Sequence, residues 1–297
     1  MIPLKDNIPT SRFPIVTVLL IVVNIGFFAW QLTFSSDRSE NSDLRALGIT
    51  DADLNAIEYG AIPYRILHWG EECAVGAVPR EGKRRPRAEI VCEGSPEYRE
   101  AQELEDDGLA PLVPVATAAW WLTILTSMFM HGGIFHIAGN MLFLWVFGNN
   151  IEDSMGRLRF LLFYLLAGLV AVLAQAALEP NATLPTIGAS GAVSGVLGGY
   201  ILLHPRARVL TMVIIIFFFT FIEIPALIML GIWFALQALP AFADLASPDV
   251  AGADGGIAYL AHIGGFLFGL ATIKLFANRY RGQKGASTPP TPEAVAA

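Results

Sequence analysis

The chain alternates between long apolar stretches and short polar links, with one broad polar region near its start. A helix needs about 20 apolar residues to cross about 30 Å of hydrocarbon. Phe13–Leu32 meets that need with no charge inside it. Leu158–Leu178 meets it with only Arg159 at its edge, and Ile187–His204, Pro225–Ala243 and Ile257–Phe276 follow. Two regions fit less well. Leu112–Phe147 is too long for one span and is broken by His131-Gly132-Gly133, while Val209–Ile222 has 14 residues and is short for one.

Basic residues fix the count, because short cytoplasmic loops carry an excess of Lys and Arg. Lys5 and Arg12 precede the first span, and Arg157 and Arg159 follow Phe147. Arg206 and Arg208 follow His204, and Lys274, Arg279, Arg281 and Lys284 flank the last span. Glu179–Thr186 and Asp244–Gly256 contain neither Lys nor Arg. Six spans, with Ile134–Phe147 as the second, put every short basic segment on one side. A seventh at Val209–Ile222 would move the C-terminal cluster outside. Leu112–Met130 and Val209–Ile222 are therefore expected to be interfacial or partly inserted, with Trp120-Trp121 as an interface anchor.

The pattern predicts an all-α, multi-pass membrane protein of six helices. Residues 1–32 form the N-terminus and first helix, and 33–119 a long hydrophilic, extracytoplasmic loop between helices 1 and 2. Residues 120–276 form the core, and 277–297 a cytoplasmic tail, rich in Pro, Ala and Thr from Arg281 on and expected to be disordered. The first apolar run is too long for a cleaved signal, and no small-residue cleavage site follows Gln31-Leu32, so it reads as a retained span.

Composition agrees. The chain is 54% hydrophobic and 15% charged, against about 25% charged in ordinary soluble domains. Its net charge is −7. Residues 33–120 hold 9 Lys and Arg against 17 Asp and Glu, so the acidic excess is confined to the polar region. That excludes a basic nucleic-acid-binding surface. The apolar content excludes a disordered chain. The loop also holds Arg80, Lys83, Arg84, Arg85 and Arg87, but loops beyond about 60 residues escape the basic-side rule. Both cysteines, Cys73 and Cys92, lie in this loop and could form a disulfide on an oxidising face.

Polar side chains inside spans are costly and mark function by default. Taken singly, His136 and Asn140 fit interhelical hydrogen bonding as well as catalysis. Ser190 alone fits small-residue packing, and His204 beside Pro205 reads as a boundary residue. Depth changes this. Ser190 and His262 each lie a few residues inside spans entered from the outer side, roughly 5–8 Å below their ends at about 1.5 Å per residue. His136 and Asn140 lie near the outer end of the second span, four apart and so on one face. Gly191, Gly195 and Gly199 recur along the Ser190 helix, and Gly265 and Gly269 along the His262 helix, at spacings that let helices approach closely.

Ser190 needs a base to become a nucleophile, and His262 can supply one. No carboxylate lies in either helix, so a dyad is expected rather than a triad. Asn140, His136 and the Ser190 backbone N–H, at a helix start, could stabilise an oxyanion. Gly188 and Gly191 leave the approach open, and His131 lies nearby. No cofactor is called for. A metal site is not favoured, since His131 and His136 are five apart and no cysteine lies in a span.

These residues resemble the rhomboid family of intramembrane serine proteases. The resemblance rests on His131-Gly132-Gly133-Ile134-Phe135-His136-Ile137-Ala138-Gly139-Asn140-Met141 and Gly148-Asn149-Asn150-Ile151-Glu152-Asp153. It rests also on Gly188-Ala189-Ser190-Gly191-Ala192-Val193-Ser194-Gly195, on Ala261-His262-Ile263-Gly264-Gly265 with Gly269, and on Ile2-Pro3-Leu4 with Phe13-Pro14. It implies a six-helix bundle, a Ser190–His262 dyad, and an oxyanion site at Asn140, His136 and the Ser190 N–H. It implies single-pass transmembrane protein substrates in the bilayer, entering between the second and fifth spans, and no metal or nucleic acid. A bacterial inner membrane with both termini cytoplasmic is the expected setting. Some members place an aromatic ring four residues after the nucleophile; here that position is Ser194, which leaves open what orients His262. The rival readings are a catalytically silent rhomboid-like module that binds membrane proteins, and a transporter. A silent module would lack Ser190 or His262, and a transporter would place its site near the midplane.

Overall fold

The computed structural model describes residues 1–34, 39–79, 86–215, 218–246 and 257–278. Strand β1 (Ile2–Asp6) leads into helix α1 (Ile15–Gln31). The polar region folds as α2 (Ser42–Leu47), α3 (Asp51–Tyr59), α4 (Pro63–Leu67), β2 (Cys73–Val78), β3 (Arg87–Cys92), α5 (Pro96–Asp106) and β4 (Val113–Val115). Helix α6 (Trp120–Thr126) and a 3-10 turn, Ser127–Phe129, precede α7 (Ile134–Met155), α8 (Arg157–Leu178) and α9 (Ser190–Leu203). Strands β5 (Arg208–Ile215) and β6 (Phe218–Pro225) then lead to α10 (Ala226–Ala246) and α11 (Tyr259–Phe276). The tail from Arg281, expected to be disordered, lies outside the described residues.

Among the described residues, four helices, α7, α8, α10 and α11, are long and apolar enough to cross a membrane. Helices α1 and α9 are apolar but shorter, at 17 and 14 residues. Helix α9 is buried almost all round from Gly191 to Tyr200, as expected of a helix with no polar face. It packs against α7, α8, α10 and α11, so Ser190 opens the central helix of the group.

The second helix runs beyond the expected Phe147 to Met155, and the extension has a structural task. Helix α1 starts after Pro14 with no side-chain cap of its own. Buried Glu152 on α7 stands in: its carboxylate accepts from Val16 N at 3.0 Å, and from Thr17 N and Oγ1 at 2.8 Å. A carboxylate at a helix N-terminus meets the free N–H groups and the positive end of the dipole.

The chain is not all-α. The described residues of Val209–Ile222, expected to be interfacial or partly inserted, belong to the antiparallel strands β5 and β6. Its Val, Ile, Thr and Phe residues favour strands, and an unbroken apolar run hides the two-residue period that would distinguish strand from helix. Strand β1 adds antiparallel to β5, with Ile2 opposite Met212 and Asp6 opposite Val209. Phe218, Phe219 and Phe221 on β6 are exposed. Leu112–Met130 is also broken up, into β4, α6 and the 3-10 turn.

The polar region is folded rather than a plain loop. Its sheet has the order β3-β2-β4, with α5 packed on β2 and β3. Three of its helix starts carry side-chain caps: Asn41 for α2, a Thr50/Asp53 capping box for α3, and Ser95 for α5. Cys73 and Cys92 sit opposite each other on β2 and β3 and are joined by a disulfide, in a core with Leu44, Ile57 and Ile62. This unit grips the membrane core. Ala61 and Thr186 exchange backbone hydrogen bonds of 3.0 and 2.8 Å, Tyr64 N donates to Ala182 O at 3.0 Å, and α4 packs on α8.

Candidate active site

The segment before Ser190 is held from two sides. Thr186 is tied to Ala61, and Gly188 N donates to Ser127 O at 2.8 Å. Gly188 has φ +128°, a conformation that L side chains rarely adopt. Ser190 then opens α9, so its N–H has no acceptor in a preceding helical turn. Its Oγ lies 2.7 Å from His262 Nε2, and His262 Nδ1 lies 2.8 Å from Gln237 Oε1 on α10.

Small residues let α9 and α11 come this close. A Cβ on Gly265 would overlap Gly191 O, and one on Gly269 would overlap Gly195 O. Gly198, absent from the expected set, makes the reverse approach, where a Cβ would overlap Phe266 O. Gly191 and Gly195 turn their own Cα positions toward Ala171 and Ala167 of α8, and Gly199 faces Ile273. The glycine rows thus seat α9 between two neighbours, rather than forming the one shared face expected from spacing alone. Gln175 on α8 helps to place the start of α11, accepting from Ala261 N through its Oε1 at 3.0 Å.

His136 joins the site across Gly188. Gly132 N donates to His136 Nδ1 at 3.3 Å, which leaves the ring proton on Nε2. A Cβ on Gly188 would lie 2.8 Å from that Nε2 and 3.4 Å from Ser190 Oγ. Both polar atoms therefore border the space that the missing side chain leaves. Asn140, one turn further along α7, is buried, and its Nδ2 has no protein partner among the described residues. His131 is buried, with its ring edge-on to His136 at 5.2 Å. Its backbone N–H donates to Gln31 Oε1 of α1 at 2.9 Å, so it fixes the loop entering α7.

Ser194 does not replace the aromatic ring: its hydroxyl donates to Ser190 O at 2.6 Å, within its own helix. The ring near His262 is Trp233 of α10, at a centroid distance of 6.1 Å. A cavity of about one water's size beside Ser190 is lined by Met128, Val172 and Ile187 together with Ala171, Gly191 and Ala261. Gln237, Trp233, Gln175 and Gly198 were not singled out from sequence. For Gln237 the available signal was a lone polar residue inside an apolar span.

Fold and residues together define a polytopic membrane protein with a Ser–His pair enclosed by its helices. The sequence profile of the rhomboid domain matches residues 118–279, slightly more than half of the chain. The chain belongs to the rhomboid family. It is 42% identical over 94 residues to rhomboid protease GluP of Bacillus subtilis, covering 31% of this chain and 18% of that protein. It is 31% identical over 156 residues to rhomboid protein 1, mitochondrial, of Saccharomyces cerevisiae, covering 50% and 40%. It is 33% identical over 96 residues to inactive rhomboid protein 1 of Drosophila melanogaster, covering 32% and 7%. The chain spans less than half the length of these relatives.

Proposed function

We propose that this protein is an intramembrane serine endopeptidase, with Ser190 as nucleophile and His262 as general base. The observation that carries this reading is the 2.7 Å separation of Ser190 Oγ from His262 Nε2, inside a helix group of membrane-spanning character. Ser190 Oγ attacks the peptide carbonyl carbon while its proton passes to His262 Nε2, and the carbonyl π pair moves onto oxygen. His136 Nε2–H, Asn140 Nδ2–H and the Ser190 N–H meet the resulting oxyanion. Collapse breaks the C–N bond, and His262 returns the proton to the leaving amine. Water, deprotonated by His262, then hydrolyses the acyl-enzyme and frees Ser190.

The substrates in this reading are single-pass transmembrane proteins, cut within or near the outer leaflet. In the same reading the chain crosses six times, with α1 and α9 as the shorter crossings. Both termini are then cytoplasmic and residues 33–119 lie outside, as the Lys and Arg pattern requires. The setting is a bacterial inner membrane. The alternative, a silent binding module like the relative named inactive, is disfavoured because Ser190 and His262 are both present and in contact.

The test is active-site labelling of the purified full chain with a fluorophosphonate probe. The wild type should be labelled on Ser190, identified by peptide mass mapping. Ser190→Ala should take no label, and His262→Ala should be labelled very slowly. Equal labelling of wild type and Ser190→Ala would refute the assignment.

A further inference from the structure

The Ser–His pair has a third member that comes from neither of their helices. We infer that Gln237 is a positioning residue that holds His262 as the tautomer able to accept the Ser190 proton. This rests on the proposed function and adds to it.

Gln237 Oε1 lies 2.8 Å from His262 Nδ1. A glutamine amide presents one acceptor and one donor end, and the two are told apart only by their surroundings. Here the surroundings decide. The amide nitrogen faces the Trp233 backbone carbonyl at 3.5 Å, and a carbonyl can only accept. The oxygen therefore faces the imidazole. An acceptor at Nδ1 requires the proton to be on Nδ1, which leaves the Nε2 lone pair free to take the Ser190 proton 2.7 Å away. The opposite tautomer would place a proton on Nε2 and leave Gln237 Oε1 facing a bare lone pair.

The other neighbours do not do this work. Helix α9 presents Ser190 itself, and its Ser194 hydroxyl is bonded to Ser190 O. Helix α8 presents Gln175, whose oxygen accepts from Ala261 N. Among the described residues, His136 of α7 is the titratable side chain that borders the same space as Ser190, across Gly188. Helix α10 adds the Trp233 ring at 6.1 Å. Among the described residues, no carboxylate is bonded to the imidazole. The orienting group is therefore neutral, and it fixes the ring without adding a charge to hold the imidazolium.

Gln237 also links the base to how α10 is seated. Helix α10 is the least buried of the four long apolar helices. Pro240, one turn beyond Gln237, cannot donate to Leu236 O, which loosens the helix there.

The experiment uses the purified full chain in liposomes with a transmembrane reporter, and compares Gln237→Leu and Gln237→Glu with wild type across pH. Gln237→Leu keeps much of the volume and removes the acceptor. It should lower kcat and the fluorophosphonate labelling rate by about 10- to 100-fold, with KM nearly unchanged, less than the roughly 10²–10⁴-fold that loss of the general base itself costs. Gln237→Glu keeps an acceptor and adds a charge that favours the imidazolium. It should retain more activity than the leucine variant and move the acid limb of the pH–rate profile to higher pH. In histidine-labelled nitrogen NMR, the His262 signal (assigned by its loss in His262→Ala) should report a protonated Nδ1 in the wild type and a mixture in Gln237→Leu. Equal losses in both variants with no shift of the acid limb would mean packing alone and would overturn the proposal. So would wild-type kinetics in Gln237→Leu. If wild type and Ser190→Ala behave alike, the proposed function fails and takes this inference with it. If Ser190→Ala is inactive while Gln237→Leu is unaffected, only this inference fails.

Discussion

Replacing Gly188 with alanine should separate the chemistry of the site from its stability. The added methyl carbon would sit 2.8 Å from His136 Nε2 and 3.4 Å from Ser190 Oγ, so it would fill the space these two atoms border. Two costs follow. The backbone at φ +128° suits glycine, and forcing alanine into it costs about 1–3 kcal/mol of folded-state stability. The methyl also blocks His136 from a developing oxyanion, and losing one such donor costs about 2.7–4 kcal/mol in the transition state, or roughly 10²–10³ in kcat. Cleavage of a transmembrane reporter in liposomes reads the second cost, and thermal unfolding in detergent reads the first. Gly139→Ala is the control, because a Cβ there meets nothing within 4 Å and a helix-interior glycine gains from alanine. A Gly188→Ala protein that turns over at close to the wild-type rate would refute the placement of the oxyanion. A fall in stability with an equal fall in the amount of folded enzyme, and no change in kcat per folded molecule, would reduce Gly188 to a backbone role.

Other perturbations probe the supports of the site. Gly269→Val would drive a side chain into the Gly195 carbonyl, so α9 and α11 must part; overpacking costs about 1–3 kcal/mol, and both thermal stability and labelling of Ser190 should fall. Full labelling at unchanged stability would contradict the glycine contact. Reducing the Cys73–Cys92 bridge, which spans 19 residues, should destabilise the polar unit by about 3 kcal/mol on a chain-entropy estimate. Limited proteolysis with and without reductant reads this, and unchanged protection would argue against it. Asp6 accepts from Asn150 Nδ2 and Tyr200 Oη, and burial raises its carboxyl above the ordinary 3.8. A raised native value means its contribution is fully present below 3.8 and is lost as pH rises through the raised value. Asp6→Asn keeps an acceptor and should flatten that pH dependence of stability, whereas Asp6→Ala should cost about 1–3 kcal/mol by stranding two buried donors; an unaltered pH profile in Asp6→Asn would count against this reading.

The apolar helices at Leu158–Leu178, Pro225–Ala243 and Ile257–Phe276 were legible because a run of about 20 apolar residues has few alternatives in a bilayer protein. The contact of Ser190 with His262 was legible because each lies a few residues inside an apolar run and is followed by close-set glycines. Three things were not. The β5–β6 pair is apolar on both faces, so it carries no alternation to read. Strand β2 is buried along its whole length for the same reason, and this hid the fold of the polar region. Gln237 lies 25 residues before His262 on a different helix, and only the packing of α10 against α11 brings it to the ring. Spacing within one helix reports which residues share a face; it does not report which face another helix will meet.

Proteolysis in a reconstituted membrane tests the central claim most directly. Full-length wild type, Ser190→Ala and His262→Ala are placed in liposomes with a single-pass reporter, and the products are mapped by mass spectrometry. The account predicts one cut by the wild type, within or near the outer end of the reporter's apolar segment, and no cut by either variant. The same fragments from wild type and Ser190→Ala would contradict it.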